Sequence, residues 1–214
     1  RFTARCGNDS ADLAPHLVGQ FNVSNLLAVI GTLMASGFTL EDAADVAGDL
    51  TPPQGRMQTI GGIGEPLVVV DYAHSPDALE QVLTAIRATV KARNGRLVCV
   101  FGCGGDRDPG KRPLMGEVVR RLADKIVLTS DNPRGEDPLA IIRDIAVAAG
   151  PAAESIPDRA EAIRRAVLAA APDDVIMIAG KGHEPYQEIN GVRHPFSDVE
   201  QTRAALEAWN EAQG

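Results

Sequence analysis

The sequence is short of aromatic rings: Phe, Trp and Tyr make up only 4% of its 214 residues. A core without rings has to be built from Ala, Val, Leu and Ile, as in α/β proteins whose parallel sheet is buried on both faces. Cysteine is scarce as well. Cys6, Cys99 and Cys103 are odd in number and show no metal-type spacing. That argues against a disulfide framework and suits a reducing, cytoplasmic setting. Positive charge is in deficit, with 21 Lys and Arg against 29 Asp and Glu. The net charge of −8 disfavours a general nucleic-acid surface, although a local basic pocket stays possible. No apolar run approaches the roughly 18 residues of a membrane span, and no signal peptide opens the chain. An initiator Met is missing too: "RFTARCGND" starts at Arg1 and is expected to be the interior of a longer protein. What the chain does have is 44% apolar residues, enough for a folded core.

The order of local patterns is regular. "NVSNLLAVIGTLMASG" has helical periodicity with Gly37 as its stop, and "TLEDAADVAGDL" predicts a second helix with a capping box of Thr39 and Asp42. The Pro- and Gly-rich "TPPQGRMQTIGGIGE" then reads as a domain boundary, placing a helical unit at 1–50 and a second domain at 51–214. Beyond it the apolar runs "PLVVVDYA", "RLVCVFG", "KIVLTS" and "DVIMIAG" alternate with helical segments. These are βαβ units of a mostly parallel sheet with helices on both faces. "YQEINGVRHPFS" predicts a hairpin turning at Asn190-Gly191, and a helix capped by Ser197 or Asp198 closes the chain.

Polar residues collect where the strands end, in "DYAHSPD", "GCGGDRDPGKRP", "SDNPRGEDP" and "GKGHEP". The carboxyl edge of an open parallel sheet is where ligands bind, because helix N-termini and loop amides converge there. Four such loops carrying His, Arg, Lys, Asp and Glu exceed what turns require. The glycines of "GCGGDRD" have the wrong spacing for a dinucleotide fingerprint and fit either a tight turn or anion binding; Arg107 tilts the reading toward a bound carboxylate. "GKGHE" lacks Walker spacing, so Lys181 and His183 are phosphate contacts or solvated, while Glu184 suits a cationic amine. Asp71 is a helix cap or a nucleotide and Mg²⁺ contact, with Ser75 and Asp77 able to cap instead. Cys103 is a small turn residue or a reactive thiol. In "SDNPRGEDP", Pro133 fixes a bend and Asp137 caps the next helix, which leaves Asp131, Asn132 and Arg134 without a turn-forming task.

Taken in order, "GQFNVSNLLAV", "GRMQ", "DYAHSPD", "GCGGDRDPGKRPLM", "DNPRGEDP" and "GKGHE" resemble the motifs of the Mur ligases, the ATP-dependent amino-acid-adding enzymes of peptidoglycan synthesis. Within that family the resemblance is to the diaminopimelate-adding branch, and it spans nearly the whole chain. It implies a Rossmann-like C-terminal domain at 51–214, preceded at 1–50 by the helical end of a central ATP-binding domain. No G-x-x-x-x-G-K-[ST] is present, so the P-loop, the carbamylated lysine and the Mg²⁺ ligands are expected outside this chain, which alone should not turn over.

The resemblance also implies roles. Asn22 and Asn25 would lie near adenine and ribose, Arg56 would reach the γ-phosphate, and Asp71 and His74 would contact the nucleotide. Arg56 and Asp71 would be the catalytic pair, brought into place by closure of the C-terminal domain. Arg107 and Arg134 would grip carboxylates of meso-diaminopimelate. Asp131, Asn132 and Glu184 would accept from its ammonium, within a pocket that includes Pro133 and the backbone of Gly180. The implied partners are ATP with Mg²⁺, meso-diaminopimelate and the UDP-N-acetylmuramoyl dipeptide, acting on a monomer with no nucleic-acid or membrane partner. A lysine-adding or folylpolyglutamate-synthase-like ligase would share the hinge but should lack "DNPR". A binding module without catalysis is the reading that the missing P-loop keeps open.

Overall fold

The computed structural model describes residues 1–15, 17 and 20–213, which form two compact units, Arg1–Pro53 and Gln54–Gly214. The first unit opens with an antiparallel hairpin of β1 (Phe2–Cys6) and β2 (Asp9–Leu13), turning through Gly7 at φ 60°. The expectation of a helical unit at 1–50 holds for its second half and fails at its start, where this hairpin stands. Alternation sends Phe2, Ala4, Ala11 and Leu13 to one face, but two apolar residues per strand are a weak signal among so many polar ones. Helices α1 (Gln20–Ala35) and α2 (Leu40–Gly48) follow. Thr39 starts α2 as expected, its Oγ1 accepting from the Asp42 amide at 3.1 Å and donating to the Asp42 carboxylate at 2.7 Å. Leu26 and Ile30 of α1, Leu40, Ala43 and Ala47 of α2, and Ala4 and Leu13 of the hairpin make this unit's small core. Gly19, the first residue of the "GQFNVSNLLAV" motif, lies outside the described residues.

In the second unit, β3 (Gln58–Gly61), β4 (Leu67–Asp71), α3 (Pro76–Arg93), β5 (Leu97–Phe101), α4 (Lys111–Leu122), β6 (Lys125–Leu128), α5 (Pro138–Ala149), β7 (Glu154–Ser155), α6 (Arg159–Leu168) and β8 (Val175–Ala179) follow one another. A hairpin of β9 (Tyr186–Ile189) and β10 (Val192–Pro195) and the helix α7 (Asp198–Gln213) complete it. The six-stranded sheet has the order β3-β4-β8-β5-β6-β7 and is parallel except for β3. Two of its strands were not expected. β3 lies inside the segment read as a linker, and β7 is two residues of the "AESIPD" segment. Both sit at sheet edges, where no continuous apolar run is needed, and the positive-φ glycines 61, 62 and 64 mark β3 as loop.

Apart from Lys125 at the start of β6 and Asp71 at the end of β4, the four central strands are apolar because both faces are covered. Val68, Val70, Val100, Ile176 and Ile178 pack with Ile163 and Val167 of α6 and Leu206 and Trp209 of α7. The intervening residues, Val69, Cys99 and Met177 among them, are equally buried and point to the opposite face, where α3, α4 and α5 pack side by side. β4, β5, β6 and β7 step across the sheet in one direction, and β8 returns to fill the gap between β4 and β5. That reversal sends the crossover helices to both faces and opens a crevice at the strand ends. The ends are level: Asp71 pairs with Ala179, Ala179 with Phe101, and Phe101 with Leu128.

Candidate functional site

The four loops leaving this edge pack backbone against backbone. The Gly105 amide donates to the Asn132 carbonyl at 2.9 Å, and a Cβ on Gly105 would run into the Pro133 carbonyl. Gly180 has φ 119°, with the Asp131 carboxylate where its Cβ would be. The glycines of "GCGGD" and "GKG" therefore allow loops to touch, which accounts for their spacing without a dinucleotide.

A cavity of about 450 Å³ opens between the loops. It is walled by Tyr72 and His74 after β4, Gly104 and Arg107 after β5, Asp131, Asn132 and Arg134 after β6, and Gly180 and Glu184 after β8. Its floor is acidic. Asp131 is 7% exposed, and its carboxylate accepts no hydrogen bond among the described residues; the nearest cation is Lys181 Nζ at 3.8 Å. Burial pushes the Asp131 carboxyl above the usual carboxylate range, with the Arg159 guanidinium opposing. Asn132 Oδ1 accepts from Lys181 Nζ at 2.7 Å and from the Glu188 amide at 2.9 Å, while its Nδ2 donates to Glu184 Oε2 at 2.8 Å. The lining also carries basic side chains. Arg134 Nη1 donates to the Gly105 carbonyl at 2.8 Å, and Nε lies 3.9 Å from Glu188. The Arg134 main chain is clamped by the hairpin, its amide donating to Glu188 O and its carbonyl accepting from the Asn190 amide. Arg107 is exposed, with the Asp106 carbonyl at 3.3 Å as its one hydrogen-bond partner among the described residues, and Lys111 also lines the cavity. Pro133 is buried, its carbonyl taking the Glu136 amide in the bend.

Of the second-unit residues expected on the nucleotide side, His74 lines the cavity, and Asp71 and Arg56 do not. Asp71 is buried, and both its oxygens are used: Oδ2 accepts from the Met57 amide and Oδ1 from the Ala73 amide, each at 2.8 Å. Burial raises its pKa, while those amides and Arg56 oppose the rise. Helix α3 is capped by Ser75 instead. Arg56 is exposed and lies 4.9 Å above the Tyr72 ring, and His74 Nδ1 is 2.8 Å from the Tyr72 carbonyl. Asn22 and Asn25 belong to the first unit, one turn apart on α1, with Asn25 Nδ2 donating to Asn22 Oδ1 at 3.1 Å.

Four further findings concern residues read differently or missed. Lys181 is neither solvated nor a surface phosphate contact: it is fully buried behind the acidic floor. Tyr72 links the two sides, with Arg56 over its ring and its hydroxyl 3.5 Å from Glu184. Arg159 is buried in a two-pronged ion pair with Asp198, both contacts at 2.8 Å, and it also donates to the carbonyls of Ser130 and Ala179 at two strand ends. Sequence offers no sign of this pair, since each residue looks like a surface charge at a helix start. Cys103 lines the cavity, but burial and Asp131 push its thiol up to about 12, and its Sγ lies 3.6 Å from Met115 Sδ. It is a protonated packing residue, not a nucleophile.

A mostly parallel α/β sheet with a charged crevice at its topological switch point is the architecture of the open α/β folds that take ligands at their strand ends. The family profile described as "Mur ligase, glutamate ligase domain" matches residues 55–182, and the chain belongs to the Mur ligase family. It is 53% identical over 213 residues to the UDP-N-acetylmuramoyl-L-alanyl-D-glutamate–2,6-diaminopimelate ligase of Pseudomonas aeruginosa, covering 95% of this chain and 43% of that protein. The enzyme of the same name from Chromobacterium violaceum is 53% identical over 201 residues, covering 94% and 41%. A solved structure of a ligase of that name superposes with a TM-score of 0.72 at 46% identity, over 94% of this chain and 41% of the other. The folylpolyglutamate synthase of Thermotoga maritima shares the fold, with a TM-score of 0.64 at 22% identity over 82% of this chain and 39% of that one. The chain thus spans about two fifths of the length of the curated relatives it matches.

Proposed function

We propose that this chain is the amino-acid-binding part of an ATP-dependent amide-bond ligase that adds meso-diaminopimelate to UDP-N-acetylmuramoyl-L-alanyl-D-glutamate. The observation that carries the reading is one cavity lined both by a carboxylate that accepts no hydrogen bond among the described residues, Asp131, and by the side chains of Arg107 and Arg134. That is the charge pattern of a zwitterion. Asp131 and Glu184 take the ammonium, with the Gly180 carbonyl helping to orient it, while Asn132, whose Oδ1 already accepts from Lys181 and the Glu188 amide, donates to Glu184 and holds that carboxylate in place. Arg134 and Arg107 take the carboxylate. Lysine has no carboxylate on its distal carbon, so with lysine Arg134 would keep only its protein partners, Glu188 and the Gly105 carbonyl, and gain nothing from the ligand. A site built around a charged group discriminates strongly against analogues that lack it.

In the proposed reaction the γ-phosphoryl group of ATP moves to the glutamate side-chain carboxylate and ADP leaves. The free amine of diaminopimelate attacks the acyl carbon, the C–N bond forms, the C–O bond to phosphate breaks, and the amine gives up its proton. The cavity's contribution is to hold the amino acid so that this attack is effectively intramolecular. The nucleotide side fits a phosphate: Arg56 is exposed, makes no ion pair among the described residues, and has Tyr72 beneath it and His74 nearby. Because both Asp71 oxygens are engaged, we assign it the task of holding the Met57 segment, and so Arg56, in place. Asn22 and Asn25 are assigned to the nucleoside, and residues 1–53 to the end of the ATP-binding domain. Among the described residues no group of three or more His, Cys, Asp and Glu stands together as a metal site, so Mg²⁺ would be held by other residues. No described helix is long and apolar enough to cross a membrane.

The test is ADP release by the enzyme expressed from the complete coding sequence, with the UDP-linked dipeptide, ATP and either meso-diaminopimelate or L-lysine. Turnover with diaminopimelate and little with lysine is expected. Equal turnover would remove the substrate assignment, and no turnover with either would remove the ligase assignment.

A further inference from the structure

The buried amine of Lys181 is unexpected in a pocket meant for an ammonium. Lys181 has no exposed surface, and it does not line the cavity; Asp131, Asn132 and Glu184 stand between it and the open space. Its Nζ lies 2.7 Å from Asn132 Oδ1, 3.4 Å from Glu184 Oε2 and 3.8 Å from Asp131 Oδ1. These are the two carboxylates given to the substrate ammonium and the amide that holds Glu184 in place. The Tyr186 ring, 5.8 Å away, covers another side, and behind lies the Arg159–Asp198 pair, whose charges cancel. The local charge is therefore set by two carboxylates and one amine, one net negative charge at the floor.

A bare pair of carboxylates this close would repel, and one would take a proton and stop accepting. A buried cation between them keeps both ionised and both aimed. We infer that Lys181 is a specificity-setting positioning residue: it orients Asn132 and Glu184 and cancels one of the two acidic charges, so that the floor accepts a single ammonium. This rests on the amino-acid pocket of the proposed function and adds the group that sets its charge. With one ammonium bound the floor is neutral. A neutral or anionic head group in the same place would leave the floor's negative charge unmatched, and a dication would overfill it.

The experiment is a charge cycle in the same full-length enzyme: wild type, Lys181→Met, Glu184→Gln and the double variant. The net floor charge then runs from one negative, to two, to none, and back to one. Each single variant should raise the KM for diaminopimelate about tenfold, while the KM for ATP stays within about twofold. The double variant should recover to within about threefold of wild type, because charge balance returns although two native side chains are gone. A double variant as poor as the product of its singles, about a hundredfold, would overturn the inference. Lys181→Gln guards against a folding artefact, since it keeps a donor to Asn132 without the charge. It should behave like Lys181→Met, and a wild-type KM in Lys181→Gln would also overturn the inference. If wild type works only with another amino acid, the substrate assignment fails, and the same cycle run with that amino acid decides Lys181. If no amino acid supports ADP release, both fall.

Discussion

Arg134 occupies a backbone conformation that side chains rarely adopt, with φ 50°. Such strain persists only where the surroundings impose it, and here the β9 hairpin clamps both main-chain groups of Arg134. The strained backbone sends the guanidinium back over the Gly105 carbonyl and into the cavity. Arg134→Ala should therefore raise the KM for diaminopimelate by roughly a hundredfold, the scale of losing one partner of a desolvated charge pair. The KM for ATP should change little, and parallel losses in both would refute the role. Asp131 gives a pH signature. Burial raises its pKa, so on acidification it takes up its proton earlier than an ordinary aspartate, and a protonated acid no longer pairs with an ammonium. The KM for the amino acid should climb as pH falls, starting above the usual carboxylate range, and Asp131→Asn should flatten that limb. At this scale the sequence was informative where chemistry and local spacing coincide: a loop with Asp131, Asn132 and Arg134 carried more charge than a turn needs. Lys181 was misread because its burial depends on the hairpin residues that fold over it, and nothing in "GKGHE" reveals them.

Elements were legible when their pattern was long or their cap local. The four central strands, the caps at Thr39, Ser75 and Asp137, and the Asn190-Gly191 turn are all where periodicity and turn chemistry put them. β3 and β7 were not, because edge strands of four and two residues have no burial pattern to display. Contacts between loops were also invisible. Gly182 has φ 54°, and a Cβ there would lie 2.7 Å from both the Gly55 carbonyl and Tyr72 Cβ. "GKGHE" is thus seated on the segment that carries Arg56. Gly182→Ala should cost about 1–3 kcal/mol of stability, combining backbone strain with the clash. Gly191→Ala is the control: its φ is 75° but nothing lies near its Cβ, so only the conformational cost of about 1 kcal/mol applies. Urea midpoints of the two variants measure the difference, and equal shifts would mean that the loop contact carries no energy.

At the scale of the whole molecule, the ordered motifs identify the family although the chain covers only 43% of its relative from Pseudomonas aeruginosa. They do not reveal what holds the second unit together beneath the cavity. Arg159 starts α6 and Asp198 starts α7, 39 positions apart, and neither has any exposed side-chain surface. Their ion pair joins the two helices of one face, and the guanidinium also gathers the Ser130 and Ala179 carbonyls at the ends of two strands. Removing one partner leaves the other as a buried, uncompensated charge, so Arg159→Met should cost about 3–5 kcal/mol. Replacing both by apolar residues removes the charge altogether, and Arg159→Met with Asp198→Leu should regain most of that loss. Trp209, the sole tryptophan of the sequence, is buried on α7 with its indole N–H donating to the Ala170 carbonyl at 3.0 Å. Its fluorescence therefore follows unfolding of this unit alone in a urea titration. Recovery in the double variant would mean that the pair matters mainly as mutual compensation of two buried charges. A double variant as unstable as Arg159→Met would instead assign the energy to the hydrogen bonds on Ser130 and Ala179. The same variants should then also weaken amino-acid binding, because those carbonyls flank Asp131 and Gly180.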